Sequence, residues 1–398
     1  MRLHNRAERG RPSDLRSTTD ARNPDCFFGL RPDGADRAER LQRPAPDARV
    51  AQRVEGASSA SGGPRYAVDA SWPKPLPNNW ILGQVAGIAT SSDGTIWLIH
   101  RPLTLTDDER GSTLSPRRSK CCSAAPPVLQ FDREGKLLRS WGGKGEGYDW
   151  PANEHGVYVD PKGDVWVGGN ALTDHMLLKF TADGKFLLQI GKPGQSQGSN
   201  APDQLGRPAH MELDAAANEL YVADGYGNHR VIVFDAATGA YKRHWGAYGK
   251  RPDDAKIADY NPESPQFANP VHCVRITRDN LVYVCDRMNN RIQVFKKSGE
   301  FVRQFVFEPA TRGSGSVWDL VPSEDPGQRY LLVADGTNNE VRITVRETGE
   351  VIGSFGRPGR QAGDFHWVHN IAVDSQGSVY TAEVDTGKRA QRFVRVRP

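Results

Sequence analysis

Short apolar runs of strand length, each followed by a tight polar turn and a second apolar run, recur along most of this sequence. In LYVADGYGNHRVIVFD (220–235), Leu220 to Ala223 is apolar and β-prone, Asp224 to Asn228 is turn chemistry, and Val231 to Phe234 is β-branched and aromatic. The pattern returns in LVYVCDRMNNRIQVF (281–295), LLVADGTNNEVRITV (331–345) and SVYTAEVDTGKRAQRFVRV (378–396). Weaker copies are TIWLIHR (95–101) and DVWVGGNALTDHMLLKF (164–180). Aligned on the turn that opens each hairpin, one column reads Gly94, Gly163, Asn218, Asn280, Arg329, Gly377. Six residues later a second column reads His100, Gly169, Asp224, Asp286, Asp335, Glu383. Six copies in register are an internal repeat.

Several copies end in a strand leading to glycine: SWG, LQIG, RHWG, GSFG. Four short antiparallel strands per copy, at a period of roughly fifty to sixty residues, predict an all-β chain folded as a six-bladed β-propeller. WPKPLPNNW (72–80) reads as an extended lead-in. The first blade starts at QVAGIAT (84–90), is interrupted by an insertion over about 102–127, and resumes at VLQFDREGKLLRSWG. The others are expected at 155–191, 210–246, 272–305, about 317–356 and 369–397. The last copy is one strand short. RYAVD (65–69) is expected to supply its outer strand and close the ring, which removes an exposed edge. Helix-period patterning is nearly absent, which excludes an α/β architecture.

Composition changes this picture only at the N-terminus. The 41 Gly and 27 Pro of the 398 residues suit a turn-rich β chain, and no run approaches the length of a transmembrane helix. Residues 1–64 hold twelve Arg and nine Asp or Glu, and the first lysine is Lys74. They lack alternation and an apolar signal core. The expectation is a disordered basic tail, or translated sequence ahead of a start that lies downstream; the second alternative leaves a secreted or periplasmic location open. The propeller domain is expected over 65–398. It is nearly neutral and has no basic stripe, so nucleic acid is not an expected partner, and a monomer is expected. Of the five cysteines, Cys26 lies in the tail and the adjacent Cys121 and Cys122 lie in a Ser/Arg/Pro-rich loop. Cys273 and Cys285 are expected to fill core positions, and no metal-ligand cysteine spacing is present.

The candidate chemistry comes from the repeat. Eight residues before the hairpin column stands a histidine in copies two, four and six: His155, His272 and His369. Each begins the first strand of its copy, which in a propeller lines the central channel. Alternate blades of a sixfold ring stand about 120° apart, so three imidazoles at one height converge on the axis. Three nitrogen ligands with open positions are the donor set of catalytic zinc. His210 nearly fits the column but its strand parity differs, so it points into the blade or supports a ligand at one remove. His100, His175, His229 and His244 read as ordinary polar positions. The first two strands are antiparallel, so residues just after the second strand open at the same mouth: Arg101, Tyr226 and Arg287. Arginines offer forked donors to a carboxylate, and a tyrosine beside a dication can act as base. Asp224, Asp286 and Asp335 are expected to brace hairpins by pairing with Arg230, Arg291 and Arg342.

These motifs carry a resemblance. The blades resemble NHL repeats, and the chain from about 80 to 397 resembles the catalytic core of peptidyl-α-hydroxyglycine α-amidating lyase. GQVAGIA with the following HR, HGVYVD with DVWV, VADGYGNHRVIVF, DRMNNRIQVF and VHNIAVDSQGSVY match that family's first, second, third, fourth and sixth blades. The resemblance implies zinc on His155, His272 and His369, a catalytic Tyr226, and active-site Arg101 and Arg287. It also implies a calcium ion held by the carbonyls of Val85 and Val157, with Asn370 in place of the family's aspartate. The family's disulfide cysteines are absent, with Gly227 at one of their positions. The insertion over 102–127 and the bulky Trp367 depart from the pattern beside the substrate path. The implied activity is a zinc lyase cleaving a carbinolamide C–N bond to an amide and glyoxylate, on a small or peptide-like substrate bearing a carboxylate. The alternatives are a different metal-dependent propeller enzyme, such as a lactonase-like hydrolase, and a non-catalytic NHL scaffold binding a protein partner. The three-histidine axis speaks against carboxylate-ligated calcium hydrolases.

Overall fold

The second strand of each copy is apolar on both faces because each face meets a different neighbour. In Leu281–Asp286, Val282 and Val284 pack toward the preceding sheet, whereas Tyr283 and Cys285 pack toward the following one. Leu220 and Val222 split from Tyr221 and Ala223 in the same way. Alternation with period two therefore produces a continuous apolar run instead of a polar–apolar one.

The computed structural model describes residues 62–255 and 260–396. It contains six four-stranded antiparallel sheets, the blades of a propeller. Their inner strands are Gln84–Thr90, Glu154–Val159, His210–Asp214, Val271–Ile276, Asp319–Pro322 and Val368–Val373. One buried apolar cluster fills each seam between neighbouring blades, including that between blade six (Tyr380, Ala382) and blade one (Leu98, Phe131). The strand Arg65–Asp69 pairs antiparallel with Arg389–Val396 as the outer strand of blade six, so the last blade is completed from the beginning of the described chain. The helical elements among the described residues are short 3-10 turns, and none is long and apolar enough to cross a membrane. The Arg-rich segment up to residue 61 lies outside the described residues.

Two expectations need refinement. The turn column holds left-handed residues at Asn218 (φ 52°) and Asn280 (φ 63°), but in blade five the left-handed residue is Gln328 (φ 45°), one before Arg329. The inner turn of that blade is longer, bridged by Ser323 and Asp325. Cys273 and Cys285 do occupy the core, and they also face each other across neighbouring strands and are disulfide-bonded; Cys121 and Cys122 are likewise joined.

The hairpin braces are buried ion pairs. Arg230 Nε lies 2.9 Å from Asp224, Arg291 Nε lies 2.7 Å from Asp286, and Arg342 pairs with Asp335. The remaining donors of Arg291 reach the carbonyls of Pro262 (2.7 Å) and Gln266 (2.9 Å), while Asp286 accepts the Ala268 N–H (2.9 Å). Each pair thus staples the segment entering its blade to the end of the second strand. Removing one partner leaves an uncompensated buried charge. Arg291→Met is expected to cost about 3–5 kcal/mol of stability by denaturant unfolding, well beyond an exposed-arginine control.

Candidate metal centre

His155, His272 and His369 each occupy the second position of their inner strand. Each also falls where the pairing with the second strand slips: between Glu154 and Val157, Val271 and Cys273, and Val368 and Asn370. A bulge leaves the extra residue unpaired and re-aims its side chain. Here it turns all three imidazoles inward. Their ring centroids are 4.7–5.1 Å apart, and their candidate ligand atoms lie within 4.8 Å of one another.

Each ring is oriented by the next blade. His155 Nδ1 is 2.8 Å from the Ala209 carbonyl, His369 Nδ1 is 2.7 Å from that of Ala86, and His272 Nδ1 bonds that of Trp318. A carbonyl only accepts, so each Nδ1 carries the proton and each Nε2 keeps its lone pair. Burial pushes all three imidazoles well below their usual pKa; for His272, proximity to His369, Arg287 and His155 adds to this. Neutral imidazoles with fixed tautomers and no carboxylate among them are a donor set that fits a first-row transition metal such as zinc.

The Tyr226 hydroxyl sits 3.0 Å from His155 Nε2 and 3.1 Å from His272 Nε2. It is delivered there by close backbone packing: a Cβ on Gly225 would lie 2.1 Å from the Val271 carbonyl oxygen, so only glycine lets this loop touch blade four. The same crowding explains Gly227, where a Cβ would meet the Gly206 backbone at 2.8 Å. Arg287 Nη1 lies 3.4 Å from the Tyr226 hydroxyl, and its guanidinium stacks over Trp318 at 4.3 Å. Its Nε has no partner among the described residues. Arg101 is held by the Glu154 carbonyl (2.7 Å) and Gln84 Oε1 (2.7 Å). Burial lowers the pKa of both arginines, and neither forms an ion pair among the described residues. Two buried cations that make no ion pair among the described residues favour an anionic ligand.

Arg101, Tyr226, Arg287 and His369 line one cavity of about 300 Å³, together with Gln84, Asn170, Trp318 and Trp367. Trp367 stands edge-on to Trp318 (centroids 5.3 Å apart) and is 37% exposed, so it forms a wall at the mouth. No residue of the 102–127 insertion lines this cavity; the insertion is tied to blade six through Lys388, which reaches the Thr104 carbonyl (2.9 Å) and Glu109 (2.7 Å).

Other candidates fall elsewhere. His210 is buried outside the cluster; its Nδ1 has no partner among the described residues, and burial lowers its pKa despite a bond to the Val274 backbone. His100 is no ordinary polar position: it is fully buried, accepting from Gly83 N (3.1 Å), and burial lowers its pKa to about 4. Asn370 has its Oδ1 on Ile88 N (2.6 Å) and its Nδ2 on Asp319, and Val85 and Val157 lie buried in the inner strands of blades one and two. Sequence reasoning missed Trp318, because the longer turn of blade five displaces it from the eight-residue column.

A family model for the NHL repeat matches residues 271–295. The chain is 26% identical over 326 residues to peptidyl-glycine alpha-amidating monooxygenase B of Xenopus laevis, covering 79% of this chain and 34% of that protein. It therefore spans about a third of that relative's length. It is 26% identical over 352 residues to peptidyl-alpha-hydroxyglycine alpha-amidating lyase 2 of Drosophila melanogaster, covering 81% and 75% of the two chains. It is 24% identical over 350 residues to NHL repeat-containing protein 3 of Mus musculus, covering 83% and 84%. Fold and site together define a six-bladed β-propeller with a three-histidine channel cluster, one blade of which matches the NHL repeat. Within that class the chain is similar, at modest identity, to proteins named amidating lyase.

The donor set predicts about one transition-metal ion per chain by elemental mass spectrometry of the purified protein, and none in the His155→Ala/His272→Ala/His369→Ala variant. A metal-free wild type after reloading would contradict this.

Proposed function

We propose that this chain is a metal-dependent lyase that cleaves the C–N bond of a carbinolamide bearing a carboxylate, releasing an amide and glyoxylate. One observation carries the reading: a tyrosine hydroxyl lies within about 3 Å of two histidine Nε2 atoms and beside a buried arginine that makes no ion pair among the described residues. A zinc ion bound by His155, His272 and His369 would supply a Lewis acid that acidifies a substrate hydroxyl.

The chain's own groups do the rest. Arg101 and Arg287 hold the substrate carboxylate through their forked donors. Tyr226, as phenolate, takes the proton from the carbinolamide hydroxyl and returns it to the departing nitrogen. The oxygen's electrons form the new C=O bond, and the C–N pair leaves on nitrogen, which is reprotonated to the amide. No water is consumed. Trp318 and Trp367 narrow the cavity around the substrate. The relatives named amidating lyase support this reading.

Tyr226→Phe removes the proton acceptor while leaving the ring in place. It is expected to lower turnover of an N-acyl-α-hydroxyglycine by about 100-fold or more, with metal content unchanged. Glyoxylate release, followed spectrophotometrically, is the readout. Wild-type-like turnover would remove Tyr226 from the reaction. Failure of the metal-loaded wild type to release glyoxylate would favour another metal-dependent reaction or a binding scaffold.

A further inference from the structure

The resemblance to amidating lyases implies a second ion in the channel, a calcium held by the Val85 and Val157 carbonyls and the side chain at 370. The residues present do not fit that ion. Asn370 carries no charge, and both ends of its amide are engaged, Oδ1 by Ile88 N (2.6 Å) and Nδ2 by Asp319 Oδ2. The same Asp319 oxygen accepts Arg275 Nη2 at 2.7 Å. That guanidinium also donates to the Ile371 carbonyl (3.0 Å), reaches Asp319 Oδ1 through Nε (3.3 Å), and has Nη1 3.6 Å from Glu212 Oε2. Asp319 further accepts Ile371 N at 3.0 Å, and Glu212 accepts Ile276 N at 3.0 Å.

We infer that Arg275 is the fixed cation of the channel, a guanidinium that ties the inner strands together where a bound calcium would otherwise do so. Its partners come from different blades: Glu212 from the third, Asp319 from the fifth, Ile371 from the sixth, and Ile88 of the first through Asn370. Arg275 itself sits on the fourth and is only 11% exposed at its side chain. Planar, forked donors suit this bridging of several acceptors better than a point charge does. Burial pushes the Glu212 carboxyl up to about 7 against the pull of Arg275. Arg275 and Asp319 balance each other's charge in direct contact (2.7 Å), which weakens the pull of this carboxylate on a dication.

The knot adjoins the metal centre. Asp319 follows Trp318, whose carbonyl orients His272; Asn370 follows His369; and Ile88 lies on the strand whose Ala86 carbonyl orients His369. Arg275 is accordingly a structural tie beside the histidine cluster.

The test uses the full chain. After purification in about 1 mM calcium chloride and desalting, elemental mass spectrometry is expected to find no stoichiometric calcium. Thermal melts in metal-depleted buffer, with and without added calcium, are expected to coincide. About one retained calcium per chain, or a calcium-dependent rise in Tm, overturns the inference. Arg275→Lys keeps the charge but not the fork. It is expected to melt several degrees lower, and calcium is not expected to restore it; an unchanged melt overturns the bridging role. Neither readout uses lyase activity, so failure of this inference and failure of the proposed reaction are told apart.

Discussion

The three-histidine cluster depends on neighbouring blades holding one another in register, because each imidazole is oriented by a carbonyl that belongs to the next blade. A propeller seam is soft in one respect: apolar packing is non-directional and tolerates small slides. Hydrogen bonds across the seam do not tolerate them. The apolar clusters therefore bring the blades together, while directional contacts near the axis set their relative height. Closure of the ring by the 65–69 strand matters for the same reason. Without it, the seam between blades six and one, where His369 meets Ala86, would border an incomplete sheet.

The buried arginines beside the cavity fall into two groups with opposite character. At the turns between second and third strands, Asp224, Asp286 and Asp335 pair with Arg230, Arg291 and Arg342, each of which also donates to a backbone carbonyl. Those pairs are structural. The first two sit one or two residues from Tyr226 and Arg287, so these braces also hold the cavity-lining loops in place. Arg101 and Arg287, by contrast, are buried and make no ion pair among the described residues. Desolvating a cation without a partner is costly, and such a cost is ordinarily recovered when an anion arrives. The contrast between paired and unpaired arginines, more than the fold, marks the cavity as a place for a ligand.

Much of this architecture was legible in the sequence because the repeat is local: a turn, two short strands and an acid at fixed spacing report on backbone within one hairpin. The histidine column was legible because the three residues share both an offset and a blade parity. What was not legible is non-local. The bulges that aim the histidines leave no trace in strand propensity, since the bulged residue is defined by pairing. Trp318 escaped because one longer turn broke the column. Asn370 and Ile88 meet across 282 residues of chain, and Arg275 on blade four reaches blades three, five and six. Cys273 and Cys285 read as core fillers because burial and bonding look alike in an apolar run.

The alternation of blades around the axis has a further consequence. Histidines come from blades two, four and six, and the carbonyls that orient them come from blades three, five and one. The unit that builds the fold is a single blade, but the unit that builds the site is a pair. Six copies act as three dimers arranged in a ring, with threefold rather than sixfold pseudosymmetry at the centre. Gain or loss of one blade would preserve the architecture and destroy the site. An ancestor that grew one blade at a time would have passed through rings with no such centre, whereas growth by paired blades would have carried ligand and support together.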